Sequence, residues 1–319
     1  MEKYFGVGSV FLAAVLIYGC SGQPATTTEE VNAPAALLQS RQDSTYQLTF
    51  AGLQVAVAPQ KGGRITSLRM AGKELFAGID TLSFGSTFWP SPQSAWGWPP
   101  PYLLDAAPYM ATASGSTLRM VSQRDEKTGW QFEKEVSLLP EDTAVSITYT
   151  IHNTADTVQH VAPWQNSRVP TKGLVFFPKG QQAPVKGKNF RNISTQETDG
   201  VVWITLRPGM HSEGEKLVTD GAEGWLAYAT DGLLLVMQFE DVAPQQQAPG
   251  EGDVEIYIGK STLNFTELEP QGAYRALQPD GQLTWTVKWY VRELKDPQLM
   301  QPANPALVKL ARQLVRERL

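Results

Sequence analysis

An all-β fold of antiparallel sheets packed face to face is what this sequence predicts, and three observations predict it. Apolar and polar residues alternate with period two in run after run, turn signals punctuate those runs, and helical spacing is confined to the tail. Val145, Ile147, Tyr149 and Ile151 alternate with Ser146, Thr148, Thr150 and His152. Leu283, Trp285, Val287, Trp289 and Val291 alternate with Thr284, Thr286, Lys288, Tyr290 and Arg292. Each such strand buries one face, so two sheets sharing a core satisfy the pattern. Trp285 and Trp289 fall on the apolar face and are expected in that core. Further strands are expected at Tyr46–Phe50, Leu53–Ala58, Arg64–Met70, Thr117–Ser122, Trp130–Leu138, Gly232–Phe239 and Val254–Ile258. Lys61-Gly-Gly, Ala71-Gly-Lys and Pro279-Asp-Gly supply turns between runs.

The tail reads as a short helix. Asn304-Pro305 forms an N-cap and N1 pair, and Leu307, Leu310, Ala311, Leu314 and Val315 share one face. Lys309, Arg312, Arg316 and Arg318 lie mostly on the other, so the helix is expected to dock on the sandwich. No repeat and no second-domain boundary is visible, so residues 45–295 are read as one domain and 296–319 as the helical tail.

The 319 residues include 9 Trp, 12 Phe and 10 Tyr, enough for a sizeable core, which excludes wholesale disorder. Lys+Arg 27 against Asp+Glu 32 gives a net charge of -5, which argues against a nucleic-acid partner. A single cysteine excludes an intramolecular disulfide and a thiolate metal cluster. That cysteine, Cys20, closes the run Leu16-Ile17-Tyr18-Gly19-Cys20, which resembles a bacterial lipobox. The apolar stretch Val7–Tyr18 before it is too short to span a bilayer and suits a signal-peptide core. Residues 1–19 are therefore expected to be a lipoprotein signal and residues 20–44, rich in Thr, Gln, Ala and Pro, a flexible tether. A lipidated Cys20 would make the membrane a partner, and Ser21 rather than Asp after it favours the outer membrane of the cell envelope.

The segment Phe84–Tyr102 holds three tryptophans and five prolines and carries no charge. The prolines suggest a stiff, extended loop rather than a central strand. Trp89, Trp96 and Trp98 offer faces that suit a pyranose ring, and Gln93 with Ser91 and Ser94 offers polar partners. The same loop could equally be an aromatic plug over one end of the sandwich. There is no GxSxG, HExxH or P-loop, and His152, His160 and His211 have no metal-ligand spacing. No cofactor and no metal are indicated. Glu251, Asp253 and Glu255 alternate, as a solvated strand edge or, less simply, a calcium site would.

Lys61-Gly-Gly-Arg-Ile-Thr-Ser-Leu-Arg with Gly72-Lys-Glu-Leu-Phe resembles the opening of the aldose 1-epimerase, or galactose mutarotase-like, superfamily. Thr128-Gly-Trp-Gln-Phe-Glu-Lys-Glu-Val-Ser-Leu, Ile147–Asp156, Thr266-Glu-Leu-Glu-Pro and Trp285-Thr-Val-Lys-Trp-Tyr-Val continue the likeness. Phe88-Trp-Pro-Ser-Pro-Gln, Trp96-Gly-Trp-Pro-Pro and Ala162-Pro-Trp-Gln are similar to its DUF4380 branch. The resemblance implies a β-supersandwich with a sugar-binding concave face. It implies Glu267 or Glu269 as a base and His160 as an acid, although Trp164-Gln165 stands near the place of the family's acid histidine. Neither Trp nor Gln titrates near neutrality. Arg64 and Arg168 are candidates to grip sugar hydroxyls or a carboxylate, and either could equally be a surface charge. The expected function is a lipid-anchored carbohydrate-binding protein, with the Trp loop, Trp164 and Gln165 at its site. A carbohydrate-active enzyme and an envelope interaction protein without a sugar site are the alternatives. The sequence does not set the oligomeric state.

Overall fold

The computed structural model describes Met1 and residues 36–78, 83–182, 185–186, 193–210, 214–260 and 264–316. Cys20, the signal segment and His211 lie outside the described residues. From Leu37 onward the chain is strand after strand, and the strands form two sheets. The first has 12 strands, and its central run is Arg64–Met70, Ser86–Ser91, Gln159–Pro170, Phe265–Pro270, Val254–Ile258 and Glu215–Thr219. The second has 10, centred on Trp225–Thr230, Leu233–Gln238, Gln282–Glu293, Ala144–Asn153 and Trp130–Leu139. The pairings that build both centres are antiparallel.

The sheets meet across one core. Phe88 of the first sheet stacks on Tyr149 of the second, with centroids 4.1 Å apart and planes 7° from parallel. Trp289 and Trp285 are buried in the same core, as the alternation of their strand predicts. Burial of one large apolar side chain contributes about 1.5–3 kcal/mol, so a core of this extent carries the fold.

The tail helix, Pro305–Arg316, begins where expected. Asn304 Oδ1 accepts from the Ala306 and Leu307 amides at 2.9 and 3.4 Å. Leu307, Val308, Ala311 and Val315 pack on Phe176, Trp203, Trp225, Leu234 and Val236, the outer face of the ten-stranded sheet. This is a second, smaller core.

Two expectations about local structure are corrected. Leu37–Ser40, expected within the tether, pairs with Tyr46–Phe50 as an edge strand. Backbone hydrogen bonds alone can recruit such a segment, so no apolar pattern announced it. Ser86–Ser91, expected in a loop, is a central strand despite Pro90. Pro90 lies opposite Pro163, and their carbonyls accept from Trp96 Nε1 at 2.7 Å and from the Gly272 amide at 2.8 Å. Both residues therefore point their backbone polar edges away from each other, where neither missing N–H breaks the ladder.

Candidate functional site

Strand register decides which side chains share the outer face of the twelve-stranded sheet. Trp89 is paired with Trp164, Arg168 with Glu267, Tyr257 with Glu267, Glu255 with Glu269, and Lys216 with Tyr257. The alternate residues Phe88, Leu268, Ile256 and Leu217 go to the core. The period-two alternation of each strand thus separates the charged and aromatic groups from the hydrophobic interior.

These groups border a cleft of ≈ 540 Å³ lined by Trp89, Gln93, Trp98, Trp164, Lys216, Tyr257, Phe265, Glu267 and Glu269, with Ser83 and Gly214. Trp89 and Trp164 form the floor, edge to face with centroids 5.2 Å apart. Trp96 packs behind them, 6.0 Å from Trp89 and 6.4 Å from Trp164. Trp98 stands at the rim, 6.1 Å from Trp89 and nearly perpendicular to it.

Each floor tryptophan is held by its indole N–H. Trp89 Nε1 donates to Asp105 Oδ1 at 2.7 Å, and Thr87 Oγ1 donates to the same oxygen at 2.8 Å. Arg64 completes this anchor with a 3.1 Å ion pair to Asp105. Burial opposes the Asp105 charge, but Arg64 and the Trp89 and Thr87 donors outweigh it and hold the carboxyl below its ordinary value. The Gly62 turn fixes the helix Tyr102–Asp105 above this anchor: a Cβ at Gly62 would lie 1.8 Å from the Asp105 carbonyl oxygen. Trp164 Nε1 donates to Glu269 Oε2 at 3.0 Å.

The wall of the cleft is charged. Glu267 Oε1 accepts from Arg168 Nε at 2.8 Å, and the Arg168 guanidinium lies over the rings of Trp89 and Phe265. Lys216 pairs with Glu269 at 3.0 Å and more closely with Glu255, and its ammonium sits 4.5 Å over the Trp164 ring. Burial pushes Glu269 up to about 7 and Glu255 well above the ordinary carboxylate range, against the pull of Lys216. For Lys216 burial acts the other way, but Glu255 and Glu269 outweigh it and raise the ammonium above its ordinary value. Two buried carboxyls around one ammonium thus titrate as a unit, with burial favouring their protonated form and Lys216 opposing it. Glu251 joins the wall to the aromatic segment by accepting from the Gln93 amide at 3.0 Å.

Several sequence-predicted residues lie elsewhere. Gln165 is fully buried on the core side, donating to Tyr149 OH at 2.7 Å and accepting from Trp289 Nε1 at 3.0 Å. Its chain neighbour Trp164, on the opposite side of the strand, faces the cleft. Arg64 is buried under the floor and bound to Asp105 rather than lining the cleft. His160 is exposed, rests against the Tyr274 ring with centroids 5.7 Å apart, and is not a cleft residue. Glu255 and Asp253 are buried rather than a solvated edge, and no cluster of three or more metal-ligating side chains exists among the described residues. Lys216, Tyr257, Phe265 and Asp105 were not foreseen. Lys216 follows the alternation of its strand, but nothing in a single sequence distinguishes a polar face turned to water from one turned to a cleft.

Comparison with known proteins adds the family. The model of a domain of unknown function, DUF4380, matches residues 90–292, most of the sandwich. The chain belongs to the DUF4380 family. The matched stretch holds Gln93, the rim and wall residues of the cleft and Trp164, so this DUF4380 chain carries most of its candidate site within the shared region. Among solved structures it is similar to a galactose mutarotase related enzyme from Lactobacillus acidophilus, with 10% identity and a TM-score of 0.55, over 79% of this chain and 98% of that one. A galactose mutarotase-like protein from Lactobacillus casei shares 11% identity and a TM-score of 0.51, over 78% and 100%. A TPR-domain containing protein from Parabacteroides distasonis shares 15% identity and a TM-score of 0.57, over 81% of this chain. The chain spans about half of that protein, 49% of its length. At these identities the likeness is one of fold: the DUF4380 sandwich is of the galactose mutarotase-like type. No curated protein matches the sequence.

Proposed function

We propose that the protein binds carbohydrate in the cleft on the twelve-stranded sheet. The observation that carries this reading is the cleft itself, where a floor of Trp89 and Trp164 meets a wall of Lys216, Glu267 and Glu269. The exposed ring of Trp98 offers an aromatic face to the C–H face of a sugar over this floor, whose own rings are nearly buried and lie beneath the Arg168 and Lys216 cations, and the charged groups make strong hydrogen bonds to sugar hydroxyls. The strands beneath the cleft also hold buried polar atoms without a partner: Ser91 Oγ, Arg168 Nη1 and both polar atoms of the Asn166 side chain.

A second reading, a sugar epimerase, draws support from one feature, the elevation of Glu269 to about 7. Mutarotation needs a donor that protonates the ring oxygen and a base that takes the proton of the anomeric hydroxyl. In that scheme Glu269 donates and Glu267 accepts, and His160 plays no part. The test is tryptophan fluorescence titration with glucose and galactose beside polarimetry of the freshly dissolved α-anomers. The binding reading expects saturable quenching, weakened about tenfold or more by Trp164→Ala in folded protein and only modestly by Glu269→Gln. No response from folded protein overturns it; rapid mutarotation abolished by Glu269→Gln establishes the epimerase instead.

We also propose that Cys20 carries the lipid that holds the domain at the outer membrane. Cys20→Ala then moves the protein from the membrane to the soluble fraction, and retention in the membrane contradicts the anchor.

A further inference from the structure

Trp98 differs from the other tryptophans of its cluster. Trp89 and Trp164 are buried at 4% and 1% exposure, whereas Trp98 lines the same cleft with 67% of its surface in solvent. Its ring stands at 87° to that of Trp89 with centroids 6.1 Å apart, so an exposed aromatic face adjoins the buried floor. Such a side chain contributes little to the core, yet it borders the ligand space. The cleft volume of ≈ 540 Å³ lies within the range of about 300–1,000 Å³ that encloses drug-sized ligands.

The charge inventory restricts the ligand further. Each cation described near the cleft is committed to a carboxylate. Arg168 is paired with Glu267 at 2.8 Å, Arg64 with Asp105 at 3.1 Å, and Lys216 with both Glu255 and Glu269. An acidic sugar would meet these carboxylates without a cation to receive it, and displacing a buried pair leaves one charge uncompensated. A cationic sugar gains little either, because the carboxylates it would meet are already paired, Glu267 with Arg168 and both Glu255 and Glu269 with Lys216.

We infer that the ligand is a neutral oligosaccharide of at least two rings, one in the cleft against Trp89 and Trp164 and the next stacked on Trp98. This rests on the carbohydrate-binding reading and specifies its ligand. Chain length and charge are therefore the variables to measure.

The experiment is calorimetric titration of the full chain with glucose, galactose and mannose, with short neutral oligomers of each, and with galacturonate and glucosamine oligomers. At least one neutral oligomer should bind about tenfold tighter than its monomer, a factor one well-placed ring contact supplies. In Trp98→Ala the ratio of oligomer to monomer affinity should fall toward one, and Trp98→Tyr should restore most of it. The exposed position of Trp98 predicts an unchanged melting curve for both variants. Equal affinity for monomer and oligomer, a length gain that survives Trp98→Ala, or tighter binding of a charged oligomer overturns the inference. Failure of every sugar to bind folded protein overturns the carbohydrate reading itself and this inference with it.

Discussion

The two outer faces of the sandwich are built from opposite materials. On the ten-stranded sheet Phe176, Trp203, Trp225, Leu234 and Val236 form an apolar surface, and the tail helix covers it. On the twelve-stranded sheet the equivalent face carries Arg64, Arg168, Lys216, Glu255, Glu267 and Glu269, all but Lys216 buried, and beside them a cleft is left open. Hydrophobic burial by a short helix finishes the first face at small structural cost. The second face keeps ion pairs out of water, which apolar residues of similar volume would often do as well or better for stability alone. Where local chemistry works against stability, function is the usual reason.

Five substitutions would break or sharpen that contrast. The largest effects belong to the two faces themselves. Trp225→Ala, at a fully buried site under the helix, should cost about 3–5 kcal/mol in urea unfolding and leave sugar affinity intact. Arg168→Met strands the Glu267 carboxylate and should cost about 3–5 kcal/mol. Adding Glu267→Leu to it should recover most of that loss, which a stabilising ion pair would not allow. Unfolding of both variants, with the double mutant less stable than the single, would contradict the claim that this face is not built for stability.

A pH effect comes next. Asp253, just before the strand Val254–Ile258, is buried, with Oδ1 accepting from the Gly221 amide at 2.7 Å and Oδ2 unpartnered. Burial raises its carboxyl from 3.8 to about 7. A group held higher in the folded state contributes stability that is complete below its unfolded value and is lost as pH rises through about 7. The loss between those limits is up to about 4 kcal/mol. Asp253→Asn should flatten this part of the stability profile and melt higher than the parent at pH 8, roughly one unit above the raised value. The smallest effect is on the helix. Asn304→Ala removes the N-cap and should cost about 1 kcal/mol, read as a small fall in melting temperature.

What could be read beforehand follows from what sequence patterns encode. Alternation announces which face of a strand is apolar, so the core placement of Trp285 and Trp289 and the helical tail were legible. The alternation of Trp164 and Gln165 also implies that the two point oppositely, but a polar glutamine looks like the surface residue of the pair. Here it is the core residue, because Tyr149 and Trp289 satisfy its amide. Proline content misled for Ser86–Ser91, since only the pairing partner shows that Pro90 avoids the ladder. The buried charges were least legible. Glu255 and Asp253 read as solvated because a single strand carries no mark of what covers its polar face. Lys216, from a strand nearly 40 residues before Glu255, meets that carboxylate only through register. Trp89, Trp98, Gln93, Glu267 and Glu269 were nameable as chemistry-bearing residues, but their convergence on one cleft is a property of topology.

The most direct test of the claim that the open face exists to hold sugar is a crystal structure of the protein soaked with a neutral oligosaccharide. The account predicts a ring packed against Trp89 and Trp164, hydroxyls within hydrogen-bond reach of Glu267, Glu269 or Lys216, and a second ring on Trp98. Sugar density on the other sheet or along an edge strand, with this cleft empty, would contradict it.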